Sequence, residues 1–506
     1  MENLFLSIVV LFIPSLLFVL MIPKLAAWKK SRTANSTLNI PPGPWKLPLI
    51  GNLHLLIGSL PHHRLRDLAK TYGPLMHLQL GELSNIVVSS PEIVHEMVKT
   101  HDVNFSERSF LPASVYGPIS VVSSPYGEYW RQLRRIYAQE LLNPGRVQSF
   151  RSIREEEVSN LLRYLSSSVG TSINLTEQIF SMTYGITAKA AFGRKCKDQE
   201  AFISLVREIL KITGGFGLSD VFPSQKWLRW ISGVGPKIEE NFKKTDEIVE
   251  RIMKDWREET EAKTGEGKGN SFLDVLLNLQ EKGDLAYPLA DPNIKAILLD
   301  VLVAGSDTTS TFLEWAMLEM LRNPRVMEKA QAEVRQVYGA KGKVDETCLH
   351  ELKYLKLFIK ETFRLHPPGP FLLPRESKED CVLNGYYIPA KTKVIINAWA
   401  IGRDPEYWTE PEQFYPERFI DSSIDFKGTN FVLIPFGAGR RMCPGLTFAM
   451  ADIELPLAAL LFHFDWKLPG GITHKNLDMT EIFAGTVGVK GGLHLIPVNP
   501  FSSSSI

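Results

Sequence analysis

Cysteine is scarce in this chain: four in 506 residues, at Cys196, Cys348, Cys381 and Cys443. So few, so widely scattered, exclude a disulfide framework, and none has the paired spacing of a zinc site. A reducing compartment fits this usage, and a cysteine with a chemical task works alone. Charge of one sign is equally lacking, since 57 basic against 56 acidic side chains leave a net charge of +1. No global field is available to hold nucleic acid, and no basic run occurs beyond the first forty residues. Disorder is excluded by 44% hydrophobic and 22% charged residues. Internal repeats and a second linker are also missing, which favours one large, mainly helical domain over two.

A long charge-free apolar run is found only near the N-terminus, from Leu4 to Ile22. As a helix it would reach about 28 Å, enough to span a bilayer. The start Met1-Glu2 and the following Lys24, Lys29, Lys30 and Arg32 argue for a retained anchor over a cleaved signal. The same basic cluster places the remainder of the chain in the cytosol by the positive-inside rule. The expected organisation is an anchor over 1–23, a basic linker and proline-rich hinge over 24–44, and one body over 45–506. Pro41-Pro42-Gly43-Pro44 closes the hinge with fixed φ angles.

Periodicity within the body predicts a helix over 61–72, strands over 75–80 and 85–89, and a helix over 91–100 opened by Pro91. Helical spacing then dominates from about 126 to 365, broken by the polar, Gly-rich stretch Thr260 to Asn270, and strands return around Tyr386 to Ile396 and Leu493 to Val498. The longest predicted helix has Asp291 as N-cap, Pro292 at its first position and Asn323 at its end, about 46 Å in all. In its middle, Ala304-Gly305-Ser306-Asp307-Thr308-Thr309 combines poor helix formers with an acid beside a hydroxyl. On local grounds, such small residues serve a crossing helix as well as a ligand.

The most informative stretch is Pro435-Phe436-Gly437-Ala438-Gly439-Arg440-Arg441-Met442-Cys443-Pro444-Gly445, followed by helical spacing over Leu446 to Phe462. Its glycines and prolines put Cys443 on a tight loop just before a helix, where helix N–H groups and nearby Arg441 favour thiolate. Glycines there also let a flat ligand approach the backbone. Glu361 and Arg364 lie three apart in a predicted helix over Glu351 to His366, and Trp130 and Arg134 four apart in another, so each pair shares a face.

Phe436, Gly439, Arg441, Cys443 and Gly445 match the haem-binding signature Phe-x-x-Gly-x-Arg-x-Cys-x-Gly, and the chain resembles the cytochrome P450 superfamily. The resemblance runs from the anchor and hinge to the C-terminus. Trp130-Arg131-Gln132-Leu133-Arg134 and Pro416-Glu417-Arg418-Phe419 are similar to plant microsomal members of the 71 clan. It implies a mainly α fold with small β-sheets, preceded by an N-terminal transmembrane helix. Cys443 is then the axial ligand of haem b, its thiolate favouring O–O cleavage. Asp307 and Thr308 would manage protons. Trp130, Arg134, Arg375 and Arg441 would hold the haem propionates, while Glu361, Arg364 and Arg418 form a buried charge network. Arg131 and Arg135 would face the electron donor. Cys196, Cys348 and Cys381 remain ordinary structural cysteines.

On this resemblance the protein is a monooxygenase of the endoplasmic-reticulum membrane, single-pass, using O₂ and NADPH-derived electrons from NADPH-cytochrome P450 reductase. Val301, Ala304, Phe371, Leu372, Leu373, Phe483, Ala484 and Thr486, with the variable loop Phe110 to Val122, would surround the substrate. These segments are apolar, hold scattered hydroxyls such as Ser114, and contain no lysine or arginine. A lipophilic small molecule follows, a terpenoid before a phenolic or amino-acid-derived aromatic. Two other classes stay open: a hydroperoxide isomerase or lyase of the same fold, and a haem-containing sensor without turnover.

Overall fold

The computed structural model describes residues 39–108, 116–194, 199–212, 217–262 and 270–500. The expected anchor, most of the linker, the variable loop as far as residue 115 with Ser114, Cys196 and most of the Gly-rich break at 260–270 lie outside the described residues.

One four-stranded sheet organises the first third and the last third of the chain together. β1 (Leu75–Leu80) turns directly into β2 (Leu83–Val88), and the two pair antiparallel with Leu80 opposite Leu83. β3 (Arg375–Glu376) and β4 (Lys393–Ile396) complete it in the order β1-β2-β4-β3. β2 and β4 run parallel, Asn85 opposite Lys393, so the long chain between them is a crossover, and it holds most of the helices. Side-chain alternation splits the strands between two cores. Ile86, Val88, Val394 and Ile396 join Met97 and Ile434 on one face, while Leu78, Leu80, Val87 and Ile395 join Val221 and Phe371 on the other.

The strand expected over Tyr386 to Ile396 is in fact two. Tyr386–Ile388 pairs with Cys381–Leu383 in a separate ribbon, and β4 begins at Lys393. Between them Pro389 lacks an amide donor and Lys391 takes φ 64°, which turns the chain. The other predicted elements lie within a few residues of their expected bounds, among them Pro61–Tyr72, Pro91–Lys99, Lys353–Leu365 and Leu446–His463.

The long helix spans Asp291–Arg322 and is buried on nearly all sides. Its cap differs from expectation. Ala290 occupies the N-cap, where its N–H donates to Asn293 Oδ1 at 2.9 Å, and Asp291 is already helical, accepting from Arg257 Nη2 at 2.8 Å. The helix stops at Asn323 because Pro324 follows. It packs on Leu175–Phe192 so closely that a Cβ on Gly305 would stand 3.1 Å from Thr187 Cγ2. Trp315, Phe312, Leu313 and Met317 anchor it in the largest core, each worth about 1.5–3 kcal/mol on burial. This helix and Leu446–His463 are long and apolar enough to cross a membrane, yet both are mostly buried inside the protein.

Candidate active site

A cavity of about 540 Å³ lies between the long helix, the loop that carries Cys443, and the sheet. Glycine shapes that loop: Gly437 and Gly439 have φ 73° and 71°, and a Cβ on Gly439 would stand 2.8 Å from Asp102 Oδ1 and Val98 Cγ1. Cys443 N–H donates to Phe436 O at 2.9 Å, and Gly445 N–H donates to Cys443 Sγ at 3.3 Å. The sulfur is thus open to the cavity and fixed by backbone on either side. Burial far from bulk water raises the thiol pKa, opposed by the Gly445 N–H and by Arg134. The expectation that Arg441 favours the thiolate is therefore corrected. Its guanidinium is committed elsewhere, donating to Ser106 O at 2.7 Å and Ser124 O at 2.6 Å while lying 4.4 Å from the Trp130 ring. The cation acting on the sulfur is Arg134.

Across the cavity stand Asp307 and Thr308. Thr308 Oγ1 donates to Ala304 O at 2.6 Å, which leaves its lone pairs to the cavity. Asp307 Oδ2 accepts from Thr486 Oγ1 at 2.9 Å, and burial pushes its pKa up to about 6 despite that bond. An acid titrating near neutrality beside a hydroxyl suits proton transfer. Two turns earlier, Asp300 accepts from Ser120 Oγ at 2.7 and 2.8 Å and from Val121 N–H at 3.1 Å, which ties the end of the variable loop to the long helix. Burial raises its pKa to about 7.

Arginines converge on the same cavity: Arg108, Arg134, Arg375 and Arg441 all line it. Arg108 donates to Leu373 O and to Pro374 O, the latter at 2.9 Å, yet its buried Nε has no partner. Arg375 donates to Ala438 O at 2.7 Å, its Nη1 is also unpartnered, and the nearest carboxylate, Asp102, is 3.8 Å away. Arg134 makes no hydrogen bond or ion pair among the described residues. Burial, and after it repulsion from the neighbouring arginines, lowers the pKa of Arg108 and Arg441, opposed at Arg441 by Glu107. Buried cations without counter-ions are costly, so the arrangement calls for an anion in their midst. A flat macrocycle with two carboxylates, bound by a cysteine beneath, satisfies all of them, and the residues fit haem. Trp130 is placed with this group, but its indole N–H donates to Val121 O at 3.2 Å. Arg108 was missed by sequence reasoning, because no spacing links it to Arg134 or Arg375.

Of the expected substrate-pocket residues, Val301, Ala304, Phe371, Leu372, Leu373, Phe483 and Thr486 line the cavity. Ala484 does not. It ends β5 (Glu481–Ala484) next to Phe483, and successive strand residues face opposite ways, so with Phe483 turned in, Ala484 turns out. Gly485, at the turn into β6 (Thr486–Val489), lines the cavity in its place. The expected segments hold no lysine or arginine, but segments outside them add charged groups to the lining, Arg108, Lys393 and Asp220 among them.

Beside the site, the three residues of the expected charge network meet with no solvent contact at Glu361 or Arg364. Arg364 grips Glu361 bidentately at 2.7 and 2.8 Å, and Arg418 Nε reaches it at 3.0 Å. Their remaining donors hold the carbonyls of Gly402, Pro411, Gln413, Thr409 and Glu410 in the irregular chain leading to the cysteine loop. Cys348 and Cys381 lie away from the cavity.

With the geometry in place, comparison with known proteins is direct. The cytochrome P450 family model matches residues 41–490. The chain is 52% identical to tabersonine 6,7-epoxidase isoform 1 of Catharanthus roseus, covering 96% of each. It is 48% identical to premnaspirodiene oxygenase of Hyoscyamus muticus, covering 96% of this chain and 98% of that one. A zebra fish cytochrome P450 solved with abiraterone superposes with a TM-score of 0.74 at 23% identity, over 87% of this chain and 99% of the other, which shows the shared fold.

Proposed function

Because the chain belongs to the cytochrome P450 family, a family of haem-dependent monooxygenases served by O₂ and NADPH-derived electrons, we propose that it oxidises a lipophilic terpenoid. The observation that carries this reading is the cavity itself: aliphatic and aromatic side chains from Val301 to Phe483 form most of its wall and run directly to Cys443 and Thr308. Bound haem supplies the activation of oxygen; the protein supplies everything that aims and protects it. Cys443 would hold the haem iron through its sulfur. Arg108, Arg134, Arg375 and Arg441 would neutralise the haem carboxylates, and the Trp130 ring packs on Arg441. Thr308 would offer a hydrogen bond to the activated oxygen, Asp307 would supply the proton, and the Thr486 hydroxyl holds Asp307 in place. Glu361, Arg364 and Arg418 keep the cysteine loop's support rigid. Phe371, Leu372 and Leu373 exclude water from the reacting carbon.

The family implies a reductase partner; the membrane setting belongs to this proposal. Residues 1–23 anchor the enzyme in the endoplasmic reticulum, and the body lies in the cytosol. Exposed Trp227, Trp230 and Ile231, with Trp45 and Ile57, support contact with lipid, where terpenoids dissolve. Premnaspirodiene oxygenase acts, by its name, on a diene, which agrees with an apolar substrate. A phenolic is the weaker reading, since its hydroxyls would meet few partners along this wall. The intact Asp307–Thr308 pair favours monooxygenation over hydroperoxide rearrangement.

The test is NADPH consumption by the reconstituted enzyme with reductase, alongside substrate-difference spectra, over a panel of mono-, sesqui- and diterpenes and phenolics. Saturable binding and NADPH use with at least one terpenoid is expected. Tight binding of phenolics with no response to any terpenoid would reverse the substrate assignment. Absence of substrate-dependent NADPH use with every compound would point to a lyase or sensor.

A further inference from the structure

The apolar wall is interrupted at one end, where β2 and β4 meet the short helix Leu218–Val221. Lys393 and Asn85 are paired across the two strands, share one face, and both line the cavity. Asp220 lines it from the short helix, which is clamped over the β1–β2 turn: Glu82 N–H donates to Val221 O at 2.9 Å. Gly81, with φ 57°, makes that docking possible, because a Cβ there would stand 2.4 Å from Val221 O.

The partners of these groups inside the protein are few. The Lys393 ammonium makes no hydrogen bond or ion pair among the described residues. Glu376, beside it in the register, is engaged by Lys391 at 3.3 Å. Asp220 accepts from Gly217 N–H at 3.1 Å through Oδ2, which leaves Oδ1 uncommitted among the described residues. Asn85 uses its amide N–H on Leu83 O at 2.9 Å. Each charge is partly desolvated; Glu376 and then Asp220 act on Lys393 through space, and Lys393 and then Arg229 act on Asp220, without a hydrogen bond between Lys393 and Asp220. A donor on the sheet and an acceptor on the short helix, both lining the cavity apart from the arginine cluster and the acids of the long helix, define a small polar socket.

We propose that Lys393 and Asp220 bind a neutral hydroxyl at the end of the substrate remote from the oxidised carbon. A hydroxyl meets both groups with a single atom, accepting from the ammonium and donating to the carboxylate. A carboxylate would be repelled by Asp220, and a hydrocarbon end would leave both groups unpaired. The inference rests on the cavity being a lipophile site and specifies its substrate as an apolar skeleton already carrying one alcohol. The reaction supplying that substrate is then itself a hydroxylation or a reduction of a carbonyl.

The test uses probes that bind through the haem iron whatever the natural substrate: 1-alkylimidazoles of increasing length, each paired with its ω-hydroxy analogue, titrated spectrally into the holoenzyme. At one chain length the hydroxyl-ended ligand should bind about tenfold more tightly than its methyl-ended partner, the worth of a hydrogen bond to a charged group. Lys393→Met should bring the two dissociation constants together. Asp220→Asn should narrow the gap from the other wall, and serves should Lys393→Met not load haem. No hydroxyl preference at any length in the native enzyme, or one that survives both substitutions, would overturn the proposal. Failure of terpenoids to bind, with the preference intact, would refute the terpenoid reading alone.

Discussion

At Cys443 the protein supplies position and would leave ionisation to the haem iron that we propose it ligates. Burial opposes the thiolate, and the Gly445 N–H and Arg134 offset only part of that cost, so the iron would stabilise the charge. Cys443→Ser is expected to abolish the carbon-monoxide absorbance at about 450 nm. Cys348→Ser and Cys381→Ser should keep it. At Thr308 the hydroxyl is held for delivery. Thr308→Ala should leave the haem spectrum intact while product formed per NADPH falls at least about tenfold and peroxide appears, within the range for loss of general acid–base assistance. Asp307 adds a pH signature. Its pKa of about 6 is held down against burial by the Thr486 hydroxyl. Proton delivery by the protonated acid should decline as pH rises through that value. Thr486→Val removes the bond favouring the charged form, so the declining limb should move to higher pH; a profile of coupling against pH that does not move would remove Asp307 from the relay.

Elements explain which of these features sequence reasoning reaches. The cysteine loop was legible because its requirements are local: glycines at positive φ, a proline, and a helix beginning at Leu446. The long helix was legible for the same reason, its ends marked by Pro292 and Pro324. Glu361 and Arg364 share a face by spacing alone, but that both are fully buried, and that Arg418 reaches them, depends on where the later chain packs. Arg108, Lys393 and Asp220 carry no local signal at all. Lys393 sits in an ordinary strand pattern, and only the parallel pairing of β4 with β2 turns it toward the cavity. Ala484 was misplaced because one residue of strand alternation reverses a side chain. For the charge network itself, Glu361→Gln should leave two guanidiniums short of a counter-ion. A loss of about 3–5 kcal/mol is expected, read by denaturant unfolding and by reduced haem retention.

For the whole molecule, one helix carries arginines to two different surroundings, solvent and the cavity. Arg131 and Arg135 lie on the exposed side of the helix Glu128–Ile136, Arg131 paired with Glu128 at 2.8 Å, while Arg134 on the same helix turns inward to the cavity. Outer arginines are therefore free to meet an acidic donor without disturbing the inner one. Reversing both to glutamate should raise the apparent Michaelis constant for reductase severalfold, more at low salt, with the haem spectrum unchanged. A spectral shift would instead place them in the haem environment.

The irregular chain between Gly402 and Gln413 carries one more consequence. The carbonyls of Gly402, Thr409, Pro411 and Gln413 are held by two guanidiniums rather than by amides, and the N–H groups of Thr409, Glu410, Glu412 and Phe414 have no acceptor among the described residues. Immobility and protection from deuterium exchange usually travel together because a ladder bond supplies both. Here they separate: these four amides should exchange rapidly in a segment whose backbone is as fixed as the neighbouring helices.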